Sequence, residues 1–366
     1  MRILYVASKY DYGRIEQGLS FEHYNFYEFF RRSGHEVTYF DSLDSFERLG
    51  RKAADRSLFE RVEAERPDLM FSVLFTEELN PSIVRHISEN TDTVTLNWFC
   101  DDHWRFEDYS QHWAPCFNWI VTTARNAIAK YEKIGHHNVI KSQWGCNDFL
   151  YRKLDLPFRF DVSFVGQPHG DRRRIIGELQ KAGIEVEVFG TGWGSGRIAQ
   201  DEMIRVFNQS RITLNLSNAS VASDAASAPA VRPPAWLLGS LERVPFGASI
   251  RRHGRAFADR VAGAASGSSK SAAYVQQIKA RNFEVPGCGG FLLTGEAENL
   301  QSYYDIGHEI ACFDGTRDLV DKIKYYLSHE DERMAMAQAG YERTLRDHTY
   351  GARFGEIFSR IGLQDA

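Results

Sequence analysis

A chain of 366 residues, 43% hydrophobic and 13% aromatic, is long for one core and suits two. Its net charge of −5 gives no electrostatic case for nucleic acid as a partner. No apolar run approaches the roughly 20 residues that span a bilayer, the start MRILYVAS lacks the order of a secretory signal, and five scattered cysteines without a CxxC pair read as reduced thiols of a cytoplasmic protein.

Arg2–Ala7 has the β-branched and aromatic content of a buried strand. A loop with Gly13 and Gly18 leads into a helix over Ser20–Ser33, which carries Phe21, Tyr24, Tyr27, Phe29 and Phe30. Gly34 ends it, and His35–Asp41 is a second strand. Helix, strand and helix follow at Phe46–Glu65, Asp68–Phe75 and Pro81–Asn90. The strand Thr93–Phe99 runs into Cys100–Phe106, after which Phe117–Thr122, Arg125–Ile134 and Asn138–Ser142 add strand, helix and strand. This alternation predicts a Rossmann-like first domain over residues 1–150. Ligands of such sheets bind at the carboxyl edge, so the Gly13 loop and Cys100–Phe106 fall at a site. Amides at the helix start near Ser20 suit phosphate, whereas His23 reads as a helix-surface residue.

Tyr151–Phe160 is a charged connector, after which the pattern restarts. Strand Asp161–Gly166, helix Arg172–Ala182, strand Ile184–Gly190, loop Thr191–Gly196, helix Asp201–Asn208 and strand Arg211–Ser217 open a second domain, residues 161–348. Residues 218–271 interrupt it with an Ala-, Ser- and Gly-rich segment containing Trp236-Leu237-Leu238 and Arg251-Arg252. That composition predicts a flexible insertion; the alternative is a lid or acceptor-docking loop that touches a membrane surface. Gln276–Phe283 has helical spacing, and Pro286 is expected to end the helix. Gly287, Gly289 and Gly290 permit positive φ and close approach to a ligand, and Phe291–Leu293 is a strand. Strand His308–Phe313, helix Thr316–Leu327 and a long helix from Glu330 complete the domain, leaving a last helix within 349–366.

Phe164–Gly166, Arg211–Ser217, RNFEVPGCGGFLLT (Arg281–Thr294), His308–Phe313 and HTYGARF (His348–Phe354) together resemble the CgeB-type, spore-maturation-like glycosyltransferase family, a relative of the group 1 glycosyl transferases. The likeness covers the C-terminal half. It implies the α/β GT-B fold: two Rossmann-like domains with parallel sheets facing across a cleft, and a last helix that crosses back to the first domain. The first domain would take the acceptor and the second a nucleotide-sugar donor, as co-substrate, with no cofactor and no metal.

The resemblance sets Glu284 on the donor ribose. The second glutamate of that family pattern falls at Gln276, so recognition of the sugar does not carry over. Arg172 or Arg173 would neutralise the diphosphate. Gly190, Gly192 and Trp193 would lie near the base, although Trp193 equally reads as packing on the domain surface. Gly166, Arg281, Gly289, Gly290 and Gly13 complete the donor set. Transfer to a hydroxyl needs a proton acceptor, and the candidates are Asp102, then Asp101 and His103; either aspartate also reads as the cap of the following turn. The implied partners are a nucleotide sugar and a glycan, lipid-linked or small-molecule acceptor, the chain being cytoplasmic or peripheral to the inner face of a membrane. A nucleotide-sugar epimerase or hydrolase on the same fold, or a non-catalytic glycan-binding protein of surface assembly, are the competing readings. Donor identity, stereochemistry and oligomeric state stay open.

Overall fold

The computed structural model describes residues 1–217 and 277–363. Among them, two sheets form in which every strand pair is parallel. The first contains β1 (Arg2–Ala7), β2 (Glu36–Asp41), β3 (Leu69–Val73), β4 (Val94–Phe99), β5 (Trp119–Thr122) and β6 (Val139–Lys141), in the order β2-β1-β3-β4-β5-β6. The second contains β7 (Phe160–Val165), β8 (Glu187–Phe189), β9 (Ser210–Asn215), β10 (Leu292–Gly295) and β11 (Ala311–Phe313), in the order β11-β10-β9-β7-β8. The two orders match: each domain reverses direction between its first and third strands, β1 and β3 in one, β7 and β9 in the other. Loops leaving a sheet at such a reversal diverge and open a crevice at the carboxyl edge.

Parallel strands covered on both faces read as continuous apolar runs, and β1 buries five residues in a row. Leu4 and Val6 point into one layer with Leu58, Val62, Val84 and Ile87. Ile3 and Tyr5 point into the other with Phe26, Phe30, Phe71 and Trp98. The last helix, Tyr350–Arg360, packs into this second layer through Tyr350, Phe354 and Phe358. The chain therefore ends on the domain where it began.

Two local expectations change. The helix expected over Phe46–Glu65 is two helices, Ser42–Leu49 and Arg51–Glu65, because Gly50 adopts φ +77 between them. Pro286 does not end its helix, which runs Arg281–Gly287 with the proline in its last turn. The amides of Cys288 and Gly290 bond back to Glu284 and Val285, so the chain keeps turning past the ring. Gln276 and the whole of 218–271 lie outside the described residues. No helix among the described residues is long and apolar enough to cross a membrane.

Candidate active site between the two sheets

The second-domain wall is built around its sheet reversal. Arg172, buried at the start of the helix Arg172–Lys181, donates from Nη1 to the Gln167 carbonyl beyond β7 and from Nη2 to the Leu216 carbonyl beyond β9, both at 2.8 Å. One guanidinium thus spans the crevice mouth. Gly166 makes room beside it: a Cβ there would meet the Phe164 ring at 2.9 Å and Arg172 Nη1 at 3.5 Å.

Next to Arg172 comes a turn fixed from beneath by buried amides. Asn215 Nδ2 donates to Asn282 Oδ1 at 2.9 Å and to Thr294 Oγ1 at 3.0 Å, and Asn282 Oδ1 accepts the Lys279 amide at 3.0 Å. This network sets Lys279 and Arg281 on the sheet edge. The Lys279 ammonium is pushed down to about 8 by burial, against the pull of Asp101 and with a further push from Arg172. Among the described residues no oxygen accepts a hydrogen bond from it. Arg281 Nε reaches the Val165 carbonyl at 3.4 Å, and its guanidinium pairs with Glu284.

The first-domain wall comes from the loops after β1 and β4. Asp101 follows β4 and stands opposite Lys279 as its counter-charge. Glu22 lies in the first turn beyond the β1 loop, where Ser20 Oγ accepts the His23 amide at 3.1 Å. Burial, reinforced by the like charges of Asp11 and Asp101, pushes the Glu22 carboxyl up to about 7. Tyr12, 70% exposed, holds left-handed backbone angles (φ 52, ψ 27) and reaches Gln167 across the cleft. A non-glycine residue in that region stores strain that its surroundings must hold. Here Arg197 of the second domain pairs with Asp11 and donates to the Leu19 carbonyl at 3.2 Å, clasping the loop from both ends.

His103 shares a narrow recess between the domains with Thr123, Arg125, Lys141, Gln143, Ile278, Glu298 and Asn299. Burial and the charges of Lys279, Lys141 and Lys130 push its imidazole down to about 4. It is neutral at pH 7.

Several expected site residues lie elsewhere. Asp102 is fully buried, accepts from Tyr131 Oη at 2.8 Å and is further held by Ser110 and Thr122. It braces the first domain's core behind the cleft. Glu284 also has no accessible surface; Tyr151 of the connector bonds one carboxylate oxygen and Arg281 the other. The cleft meets Arg281 instead. Arg173 points outward, bonded to the Gly192 carbonyl and stacked 4.9 Å from the Trp193 ring centre. Trp193 donates to the Gly166 carbonyl at 2.7 Å and packs on the second core, as its surface-packing reading had it.

Five of the expected glycines serve the protein's own packing. A Cβ on Gly190 would lie 2.5 Å from the Gly166 carbonyl oxygen, and one on Gly192 3.0 Å from Pro168. Gly289 faces Lys153 of the connector and Gly290 the Phe207 carbonyl. Gly13 similarly abuts Leu43. His23 is buried rather than on the surface, 4.9 Å from the Tyr27 ring centre.

Lys279 and Glu22 were missed by sequence reasoning. Lys279 sits three residues into the described part of a stretch already singled out, so its place beside Arg281 was open to notice. Glu22 had only a weak signal, one acid in the first turn of an aromatic helix.

A profile of the family described as glycosyl transferase-like matches residues 172–233 and 239–359. The spore protein CgeB of Bacillus subtilis (strain 168) is 21% identical over 368 aligned residues, covering 96% of this chain and 95% of that protein. Among solved structures, Anabaena HepE in complex with UDP-glucose superposes with a TM-score of 0.60 at 9% identity, covering 99% of both chains. Sucrose-phosphate synthase from Thermosynechococcus elongatus gives 0.57 at 10% identity over 98% of both. At these identities the structural likeness speaks to the fold: two parallel-sheet domains of GT-B type.

Proposed function

The chain belongs to the glycosyl transferase-like family, and on that premise we propose that its cleft carries a nucleoside-diphosphate sugar on the second domain and the acceptor hydroxyl on the first. It is a glycosyltransferase of GT-B architecture. The observation that carries the donor placement is the pair Arg172 and Lys279. Both cations sit at the carboxyl edge of the second sheet, and among the described residues no oxygen accepts a hydrogen bond from the Lys279 ammonium. A departing diphosphate develops negative charge as the sugar leaves it, and fixed cations in a desolvated cleft stabilise that charge most.

HepE and its bound UDP-glucose, on the same fold, support a nucleotide sugar as the donor. The two side-chain cations supply the charge that transfer requires, so the reaction proceeds without a bound metal ion. Asp101 and His103 face the acceptor side, while Asp102 supports the loop that carries them. A thermal-shift screen against UDP-, GDP-, dTDP- and CMP-sugars tests the reading, because a ligand of the folded state alone raises its melting temperature by mass action. One nucleotide class should stand out. A flat response across all four would remove the donor assignment.

A further inference from the structure

We propose that the recess beside His103 seats an anionic group of the acceptor, a phosphate or a carboxylate, held by Arg125 and Lys141; this rests on the donor and acceptor placement above. Arg125 follows β5 and Lys141 ends β6, so both stand at the carboxyl edge of the first sheet, the edge that carries Asp101. Ile278, Glu298 and Asn299 of the second domain close the recess from the other side. Ile278 precedes Lys279, and the His103 imidazole is pushed down by both Lys279 and Lys141. The recess thus adjoins the donor wall but takes its two cations from the first domain.

Those cations meet only neutral partners. Arg125 Nη1 donates to Asn299 Oδ1 at 3.1 Å. Lys141 Nζ donates to the Ser142 carbonyl at 2.7 Å and to Tyr303 Oη at 3.2 Å. Arg353 of the last helix donates to the Asp347 and Trp144 carbonyls and lies 3.1 Å from His348 Nδ1. Arg353 and Lys141 stand 5.4 and 5.8 Å from the centre of the same Tyr303 ring. Among the described residues no carboxylate bonds any of these three cations. Burial and the Arg353 charge push the Lys141 ammonium down to about 8, while Glu298 and Glu356 pull the other way without bonding it.

The bonds Arg125–Asn299 and Lys141–Tyr303 cross between the domains and would also serve as a plain fastening. A fastening to an amide oxygen and a phenol needs no charge, since neutral donors make the same bonds without the cost of drawing cations out of water. An anion offsets that cost, because bonds from a guanidinium or ammonium to phosphate or carboxylate are roughly twice as strong as neutral ones. The recess itself holds about 10 Å³, room for roughly one water. The anion therefore takes the place of Asn299 and Tyr303 as the partner of the two cations, through the side-chain rotations common at binding surfaces. It enters beside Arg125 and Glu298, both of which are exposed. His103 Nδ1, buried and without a hydrogen-bond partner among the described residues, offers the acceptor one more polar position.

The test is calorimetric, on the wild-type chain saturated with whichever of UDP, GDP and dTDP it binds. Glucose 6-phosphate, glucuronate and neutral glucose are titrated in turn. One of the two anionic sugars should bind about tenfold or more tightly than glucose, and which of them does so tells phosphate from carboxylate. Lys141→Met and Arg125→Gln should each weaken that ligand about tenfold and leave diphosphate affinity unchanged. Lys141→Arg should restore most of the binding. The melting temperature of Lys141→Met should hold or rise, because a crowded cation is gone, whereas loss of a mere fastening would lower it. Equal affinity for glucose and both anionic sugars overturns the proposal, as does anion binding that survives intact in both variants. A chain that binds a diphosphate but shows no preference for an anion loses the acceptor seat alone. One that binds no diphosphate loses the donor placement, and the acceptor seat with it.

Discussion

The Arg281 guanidinium stands between the cleft and Glu284. The two residues lie one helical turn apart; the arginine keeps 23% of its side chain accessible and the carboxylate none. Tyr151 closes the far side of the carboxylate and itself accepts from Gln200 Nε2 at 2.8 Å. Glu284 thereby joins the connector, the helix Arg281–Gly287 and the helix Gln200–Gln209.

Removing a partner from such a pair leaves the other charge uncompensated. Glu284→Ala should lower stability by about 3 kcal/mol in urea unfolding, so weakened donor binding by this variant alone would not identify a ribose contact. The apolar double replacement Arg281→Met with Glu284→Leu should be less destabilising than the sum of the single changes. Strict additivity would show that the pair is not coupled in solution.

Asp102 separates a structural acid from a catalytic one. Asp102→Asn keeps the shape but disturbs the hydrogen bonds from Tyr131, Ser110 and Thr122. Stability should fall by about 1–3 kcal/mol while nucleoside diphosphate release per folded molecule stays within a few-fold of wild type. A 100-fold loss of release with unchanged stability would return Asp102 to the cleft.

His348 makes stability depend on acid. It is 4% exposed, its Nε2 bonds the Tyr303 carbonyl at 2.5 Å, and burial with Arg353 and Arg343 pushes it down to about 4. The neutral ring's contribution is complete above the unfolded value near 6.5 and is lost as pH falls to about 4, on the order of 3 kcal/mol for a shift of that size. His23 and His103 carry the same sign. Glu22, Asp102 and Glu78, whose carboxyls are raised, oppose it by holding protons in the folded state. The single-site comparison isolates the term: unfolding free energies of His348→Gln between pH 6.5 and 4 should change less steeply than those of the wild type. Parallel curves would contradict the neutral buried ring.

Chelation addresses the charge supplied to the leaving group. With Arg172 and Lys279 in that role, donor cleavage measured in excess EDTA should stay within twofold of its rate in magnesium. A loss of tenfold or more, restored by magnesium, would require a cation that these side chains do not replace.

Much of the fold was legible in the sequence because parallel strands buried on both faces leave unbroken apolar runs, as in Ile3–Ala7 and Leu69–Val73. The site was less so. Adjacent residues on a turn diverge in direction, and nothing in Cys100–Asp101–Asp102–His103 announces that the second aspartate turns inward to Tyr131. Glycines mark tight places without saying what is near, so Gly190, Gly192, Gly289 and Gly290 looked like ligand contacts and instead admit Gly166, Pro168, Lys153 and Phe207. Glu22 acquires its raised proton affinity first from burial and then from Asp11 and Asp101, none of which its neighbours in sequence announce.

The central claim is that a nucleoside diphosphate sits against Arg172 and Lys279 on the second domain. Calorimetric titration of UDP, GDP and dTDP into the wild type and into Lys279→Met tests it most directly, since Lys279 is partly accessible and its loss leaves the core untouched. One diphosphate should bind the wild type, and its affinity should fall at least tenfold in Lys279→Met with the melting temperature unchanged. Equal affinity in both proteins, or no binding by the wild type, would contradict the account.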